Sequence, residues 1–359
     1  MKELQYRTFS LKTHKKNWRI KKPNVCQFEL TFKCGLHCRH CYSDCYNKQE
    51  YIKGELSTGQ VKFLLDKIYN AGVIWLCWTG GDPLTRPDFL EFYSYAKDKG
   101  FIITIFTNGC SMTEEIAGYL KKQPPFVIEI TLNAVTKETY EEISRVKGSF
   151  EKAMDGIKLI TQNKLPLKIK TQVIKDNLEE LPKIKEFVEN LGLSFRPSAF
   201  LHARLNGDLR PCSLRISPEE ILNLDGNKQP LDNDCQLSLN TEPQKPITEN
   251  RTPNSRLFPC AIGGGDGIHI DPYGNVIPCN CIRGPKINLF EKSIEEAQKS
   301  ILNWVRSRRF ITDSKCKNCS IRDLCYNCPG KALLETGSLE EPVEWFCELA
   351  KKTVKLANC

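Results

Sequence analysis

No run of eighteen apolar residues occurs in the 359-residue sequence, and its opening, MKELQYRTFSLKTHKKNW, lacks the apolar stretch of a secretory signal. A membrane span and an exported disulfide scaffold are both disfavoured, and a cytoplasmic location is expected. Acid is scarce at the start: the first 22 residues carry eight Lys and Arg against Glu3 alone, in a chain of net charge +9. Residues 1–25 read as a basic arm, either a solvated tail or edge strand, or a handle for an acidic partner such as a peptide leader or RNA. No RNA-binding module accompanies the arm, so nucleic acid is not an expected partner. Cysteine, in contrast, is abundant at 18 residues, which in a reducing compartment points to metal rather than to disulfides.

The densest cysteine group has a gap of its own. TFKCGLHCRHCY, residues 31–42, sets Cys34, Cys38 and Cys41 within eight positions, with no fourth cysteine at matching spacing. A structural zinc site or a fully ligated iron–sulfur cube takes four protein ligands. Three leave one metal position open for something else. Zinc held by these cysteines with His37 or His40 is the competing arrangement.

Around that loop the chain alternates two periods. Strand-like runs at 27–32, 73–79, 101–107, 126–132, 167–174 and 194–198 are separated by helical patterns at 57–71, 87–99, 113–122, 150–163 and 178–191. In the first helix Val61, Leu64, Leu65 and Ile68 form one stripe, Ser57 and Gln60 a capping box, and Gly72 a stop. Six such βα repeats imply an α/β fold, either a doubly wound sheet or six-eighths of a barrel. The three-cysteine loop follows the first strand, at the end where α/β folds bind ligands. Residues 205–258 read as a polar linker rich in Pro and Asn, and residues 259–359 hold nine further cysteines, with helices expected at 292–308 and 340–357.

These residues resemble the radical S-adenosylmethionine (radical SAM) enzymes, whose signature is C-x3-C-x-Φ-C with an aromatic Φ, here His40. The resemblance implies a partial (β/α)6 TIM-like barrel over residues 26–204. It also implies a [4Fe–4S] cluster on Cys34, Cys38 and Cys41, whose free iron is chelated by the amino and carboxylate groups of SAM. Gly80, Gly81, Asp82 and Pro83 look like the family's GGEP motif, which holds the SAM ammonium, with Asp where Glu is commoner. Thr107 and Asn108, Asn133 and Gln172 fall where the family contacts the SAM ribose or carboxylate.

The C-terminal cysteines resemble the SPASM extension of these enzymes, a small domain carrying two auxiliary [4Fe–4S] clusters. By that resemblance Cys316, Cys319, Cys325 and Cys347 hold the distal cluster, and Cys260, Cys279 and Cys328 the proximal one. Two residues rather than three separate Cys325 from Cys328, and residues 251–259 lack the usual eighth cysteine. Cys281, Cys235 or an open site completes the proximal set, while a zinc ribbon is the competing reading of the CxxC pairs. Cys45, Cys110 and Cys281 are candidates for donating a hydrogen atom to a substrate radical, whereas Cys26 and Cys77 read as small core residues.

The function implied is hydrogen abstraction by a 5′-deoxyadenosyl radical, with a flavodoxin- or ferredoxin-type electron donor. The substrate expected first is a ribosomal peptide or protein side chain, and the rival is a small-molecule cofactor precursor related to haem. Few residues precede the first strand, so a separate leader-peptide-binding protein, or the basic arm, would recruit a peptide. Sulfatase-type maturation is not expected, because Asn280 rather than an acid follows Cys279. An electron carrier or zinc-binding protein is the least favoured reading, since neither needs a SAM pocket.

Overall fold

The computed structural model describes residues 5–224, 256–258, 265 and 267–357. Its strands are β1 (Val25–Thr31), β2 (Trp75–Gly80), β3 (Ile102–Thr107), β4 (Val127–Thr131), β5 (Leu167–Gln172), β6 (Phe195–Ser198), β7 (Gly267–Ile270), β8 (Asn275–Ile277) and β9 (Ile287–Asn288). They form one sheet in the order β6-β5-β4-β3-β2-β1-β7-β8-β9. From β1 to β6 each strand lies parallel beside the next in sequence. A doubly wound sheet would reverse that order at a switch point. The sequential order is that of a partial (β/α)6 barrel.

Alternation along each strand separates the two faces. On β1, Cys26, Phe28 and Leu30 join the main core with Leu64, Leu65 and Ile68 of the helix Thr58–Asn70. Gln27, Glu29 and Thr31 occupy the opposite, concave face, where registration sets Glu29 beside Thr79 and Gln27 beside Cys77. Further round, Glu129 pairs in register with Lys168, and the Lys170 ammonium lies 2.7 Å from the Glu129 carboxylate. The helix-covered face is apolar and the concave face is polar. On the apolar side Trp78 is fully buried, its ring edge-on to Phe89, Phe92 and Tyr93 at 5.4–5.8 Å. Each such side chain contributes about 1.5–3 kcal/mol by burial.

The capping box of Ser57 and Gln60 forms as the sequence suggests, and Gly72 takes the left-handed φ of +84° that ends this helix. Three features differ from the sequence reading. Residues of the basic arm form a helix, Tyr6–Ile20, that is neither a tail nor an edge strand. Its Tyr6 hydroxyl accepts a hydrogen bond from the Trp75 indole at 2.9 Å, and His14 stacks on the same ring. Trp75 opens β2, so the helix sits at the end of the barrel away from the cysteine loop. The short helix Lys137–Ser144 and the strands β7–β9 lie outside the periodic runs. β7 nonetheless pairs parallel with β1, Val25 opposite Gly267 and Phe28 opposite Ile270.

In residues 205–224, the described part of the expected linker, there are two short helices, Arg210–Leu214 and Pro218–Leu224. The helix Pro218–Leu224 lies near the C-terminal helix Glu344–Ala357, whose Trp345 indole donates to the Ile216 carbonyl at 3.1 Å. Among the described residues no helix is long and apolar enough to cross a membrane.

Candidate functional site

The three-cysteine loop leaves β1 and is clamped at its base by a carboxylate. Glu55 accepts from the Thr31 hydroxyl at 2.6 Å and from the Phe32 N–H at 2.5 Å. The Asn47 side chain then behaves as a piece of backbone: its oxygen accepts from Cys34 N–H, and its amide donates to the carbonyls of Cys34 and Leu36, all at 3.0–3.2 Å. His37 and Arg39 bind by their N–H groups to the carbonyls of Ser144 and Ile143. Neither Glu55 nor Asn47 belongs to a periodic pattern, so neither stood out in the sequence.

Burial and the charges of neighbouring thiols raise the pKa values of Cys34 and Cys38, and burial raises that of Cys41. They would stay protonated unless a cation offset their charge, as a metal cluster does. Two donors already face them: Leu36 N–H and the Asn108 amide lie 3.4 Å from the Cys34 sulfur. Among the described residues no three His, Cys, Asp or Glu side chains converge tightly enough for one metal ion. His37 instead bonds Asp44 at 2.9 Å, while His40 is buried, its pKa lowered to about 4, with Asn133 at 3.4 Å.

The loop after β2 is stitched to this one. Gly81 N–H donates to the Thr31 carbonyl at 2.6 Å and Asp82 N–H to the Lys33 carbonyl at 2.8 Å. Only glycine allows the approach: a Cβ on Gly80 would lie 2.1 Å from the Thr31 carbonyl, and one on Gly81 2.2 Å from that of Lys33. Pro83 begins a short turn that buries it and Leu84.

Asp82 is tied to the neighbouring turn and strand. Its side chain is fully buried, and its carboxylate accepts from Leu84 N–H, the Thr107 hydroxyl and Asn108 N–H at 2.8–3.0 Å. Burial raises its pKa, and these donors pull it back down. Being one methylene shorter than Glu, it ties the end of β2 to the end of β3.

Asn108 and Asn133 reach the cysteine loop, at Cys34 and His40 respectively. Gln172 lies one strand further: its N–H donates to the Asn133 side chain, but its own amide donates to the Ser198 carbonyl at 2.7 Å. Cys110 approaches the Tyr140 hydroxyl and the Ser149 carbonyl, and burial raises its pKa to about 11. Cys45 and Cys281 are buried in one small apolar cluster with Ala203, Leu205 and Leu334. Cys26 is fully buried in the main core, and Cys77 is buried on β2.

In the C-terminal region burial, with the nearby thiols of Cys347, Cys316 and Cys319, raises the Cys325 pKa to about 11. Glu340 braces the segment leading to Cys316, accepting from the N–H groups of Ile311 and Thr312. Cys328 caps the helix Pro329–Thr336, its sulfur 3.4 Å from Lys331 N–H. Cys260 and Cys235 lie outside the described residues. The segment after Cys279 is locked to the barrel by Arg283, whose guanidinium meets the Glu29 carboxylate through two hydrogen bonds of 2.9 and 2.8 Å.

Comparison with known proteins agrees with this geometry. The Radical SAM superfamily profile matches residues 28–188, which span both stitched loops. An AdoMet-dependent heme synthase of Methanosarcina barkeri is 27% identical over 89% of this chain and 95% of its own length. The mycofactocin maturase MftC of Mycobacterium tuberculosis is 30% identical over 48% of this chain and 44% of its own. The crystal structure of Streptococcus suis SuiB bound to precursor peptide SuiA shares the fold, with TM-score 0.68 at 15% identity over 97% of this chain and 82% of that one. Residues 28–188 thus match the Radical SAM superfamily, and the chain shares the fold of SuiB, with a cysteine-rich region following the matched part.

Proposed function

We propose that the protein reductively cleaves SAM and uses the 5′-deoxyadenosyl radical to take a hydrogen atom from a peptide or protein side chain. The observation that carries the chemistry is the stitching of the open-sited cysteine loop to the Gly80–Gly81 turn. Cys34, Cys38 and Cys41 would hold a [4Fe–4S] cluster, which would supply the one electron that cleaves SAM. The residues of the chain do the rest. Main-chain carbonyls at the Gly80–Gly81 turn accept from the SAM ammonium, Asp82 fixes that turn, and Asn108 and Asn133 bridge SAM to the loop. The polar concave face, with Glu29, Glu129 and Lys170, receives the polar part of the substrate.

The peptide reading is supported by the 30% identity with MftC over 48% of the chain. A second reading, a haem-related tetrapyrrole precursor, is favoured by the match to the heme synthase along nearly the whole of both chains. A flavodoxin- or ferredoxin-type donor, and for the peptide a separate leader-binding protein, complete the proposed system.

The test uses anaerobically reconstituted wild type beside a Cys34/Cys38/Cys41→Ala variant. Roughly twelve irons per chain are expected in the wild type and about eight in the variant, for clusters of four irons each. Only the wild type should release 5′-deoxyadenosine with dithionite and SAM, and equal release from both would sink the assignment. Adding a short peptide encoded beside the gene, or an iron porphyrin bearing propionates, then separates the substrate readings. The correct class is the one that loses mass or hydrogen in step with SAM cleavage.

A further inference from the structure

The barrel wall formed by β4, β5 and β6 carries more positive charge than it answers from within. Ile169 lies in the main core, so Lys168 and Lys170, its neighbours along β5, face the concave side. Arg196 of β6 is the register partner of Lys170 and stands on the same side. On the other flank, register sets Glu129 beside Lys168 and Thr131 beside Lys170. Among the residues of these three strands, three cations therefore face one carboxylate. Even that carboxylate is shared: Lys170 Nζ lies 2.7 Å from one Glu129 oxygen, and Lys168 Nζ 4.0 Å from the other. Across the barrel, Glu29 is already matched by Arg283.

The lysines are placed to meet something inside the barrel. The Glu129 side chain is 10% exposed, whereas those of Lys168 and Lys170 are 38% and 26% exposed. Lys170 Nζ also lies 4.5 Å from the centre of the Phe106 ring on β3, so the ammonium leans over the concave face. The depth of the site follows from the strand. Gln172 N–H donates to the Asn133 side chain, which lies 3.4 Å from His40 of the cysteine loop. Lys170 and Lys168 come two and four residues earlier on β5, about 7 and about 13 Å further from that level at about 3.3 Å per residue. Half-shielded cations with too few counter-charges favour an anion, and a carboxylate can accept from ammonium and guanidinium together.

We propose that Lys168, Lys170 and Arg196 bind a carboxylate of the substrate and so fix which part of the substrate meets the radical. The inference rests on the hydrogen-abstraction reading above and names the chemistry its substrate carries. That chemistry is an aliphatic carboxylate, either the Asp or Glu side chain of a peptide or the propionate of a tetrapyrrole. The bound carboxylate is an anchor. Held below the level of the cysteine loop, it stays unreacted while another part of the molecule lies nearest SAM. Glu129 competes for the same ammonium groups and so weakens binding.

The experiment measures equilibrium binding of two pairs of probes to the anaerobically reconstituted protein with SAM. One pair is an iron porphyrin bearing propionates and its methyl esters. The other is a short peptide encoded beside the gene and a copy with every Asp and Glu changed to Asn and Gln. In at least one pair the acid form should bind at least about tenfold more tightly than the neutral form, and the pair with the larger ratio identifies the source of the carboxylate. Lys168→Met/Arg196→Met should abolish that ratio. Lys168→Arg should keep it, which separates loss of charge from loss of fold. Glu129→Gln, which removes the competing carboxylate, should tighten binding of the acid form. No preference for the acid form in either pair would overturn the proposal. So would a preference that survives in the double variant, or weaker binding of the acid form by Glu129→Gln. Deoxyadenosine release by the wild type is scored separately. Its absence would refute the hydrogen-abstraction reading, whereas release without any acid preference would refute the anchor alone.

Discussion

Replacing Arg283 by Met tests how the C-terminal segment is held to the barrel. The Arg283 and Glu29 side chains are only 14% and 4% exposed, and two hydrogen bonds of 2.9 and 2.8 Å join them. The guanidinium also stacks over the Phe32 ring at 5.5 Å. Methionine keeps most of the aliphatic bulk, so the main loss is the partner of a buried carboxylate, about 3–5 kcal/mol. For a chain of 359 residues that corresponds to a fall in Tm on the order of 4–7 °C. The effect has a sign in pH. Burial pushes the Glu29 pKa up and Arg283 pulls it back, so without Arg283 it rises further. A carboxyl whose folded pKa lies above its unfolded value costs nothing while protonated and destabilises as pH rises through the folded pKa. The variant's deficit should therefore be largest at pH 8 and shrink towards pH 5.5. Anaerobic thermal melts of both reconstituted proteins across that range read it. The Glu29→Gln/Arg283→Met double variant should recover most of the loss, because no buried charge is then left alone. A deficit that is constant with pH, and undiminished in the double variant, would refute the buried-charge reasoning.

Two further substitutions probe the stitched loops. Gly81→Ala places a Cβ about where the Lys33 carbonyl stands, so the two loops must part. SAM affinity, measured by equilibrium binding to the reconstituted enzyme, should fall at least about tenfold, the equivalent of ~1.4 kcal/mol. Wild-type affinity would show that the contact is not needed. In Asp82→Asn one amide N–H must face a donor among Leu84, Thr107 and Asn108, at a cost of about 1–3 kcal/mol. Deoxyadenosine formation should drop roughly tenfold to a hundredfold with iron content unchanged. Loss of iron instead would place Asp82 in cluster assembly.

Parts of this arrangement were legible because their signals are local. Cys34, Cys38 and Cys41 share one short loop, and β1 to β6 each carry an apolar run bounded by turn residues. Other parts depend on where distant segments meet. Glu55 and Asn47 are single polar residues whose task appears only when the loop is folded against them. Asp82 was recognisable as an acid in a turn, but its three donors come from β3 and the turn itself. The helix Tyr6–Ile20 was masked by its charge, since its docking rests on a few rings meeting Trp75. Cys281 packs against Gly330, a contact between positions some fifty residues apart in the chain.

The pairing of β7 with β1 has a consequence for how the protein comes into being. Val25 and Gly267 are neighbours in the sheet, so one edge of the first strand stays open until the ribosome has delivered more than two-thirds of the chain. Pairing over such a span is slow and leaves a hydrogen-bonding edge exposed to other nascent chains meanwhile. The cysteine loop hangs from the end of that same strand. The loop's own clamps, Glu55, Asn47, Ile143, Ser144 and the Gly80–Gly81 turn, all precede β7, so the loop can be held while the β1 edge is still open, and that open edge makes a holding chaperone valuable when the protein is overproduced.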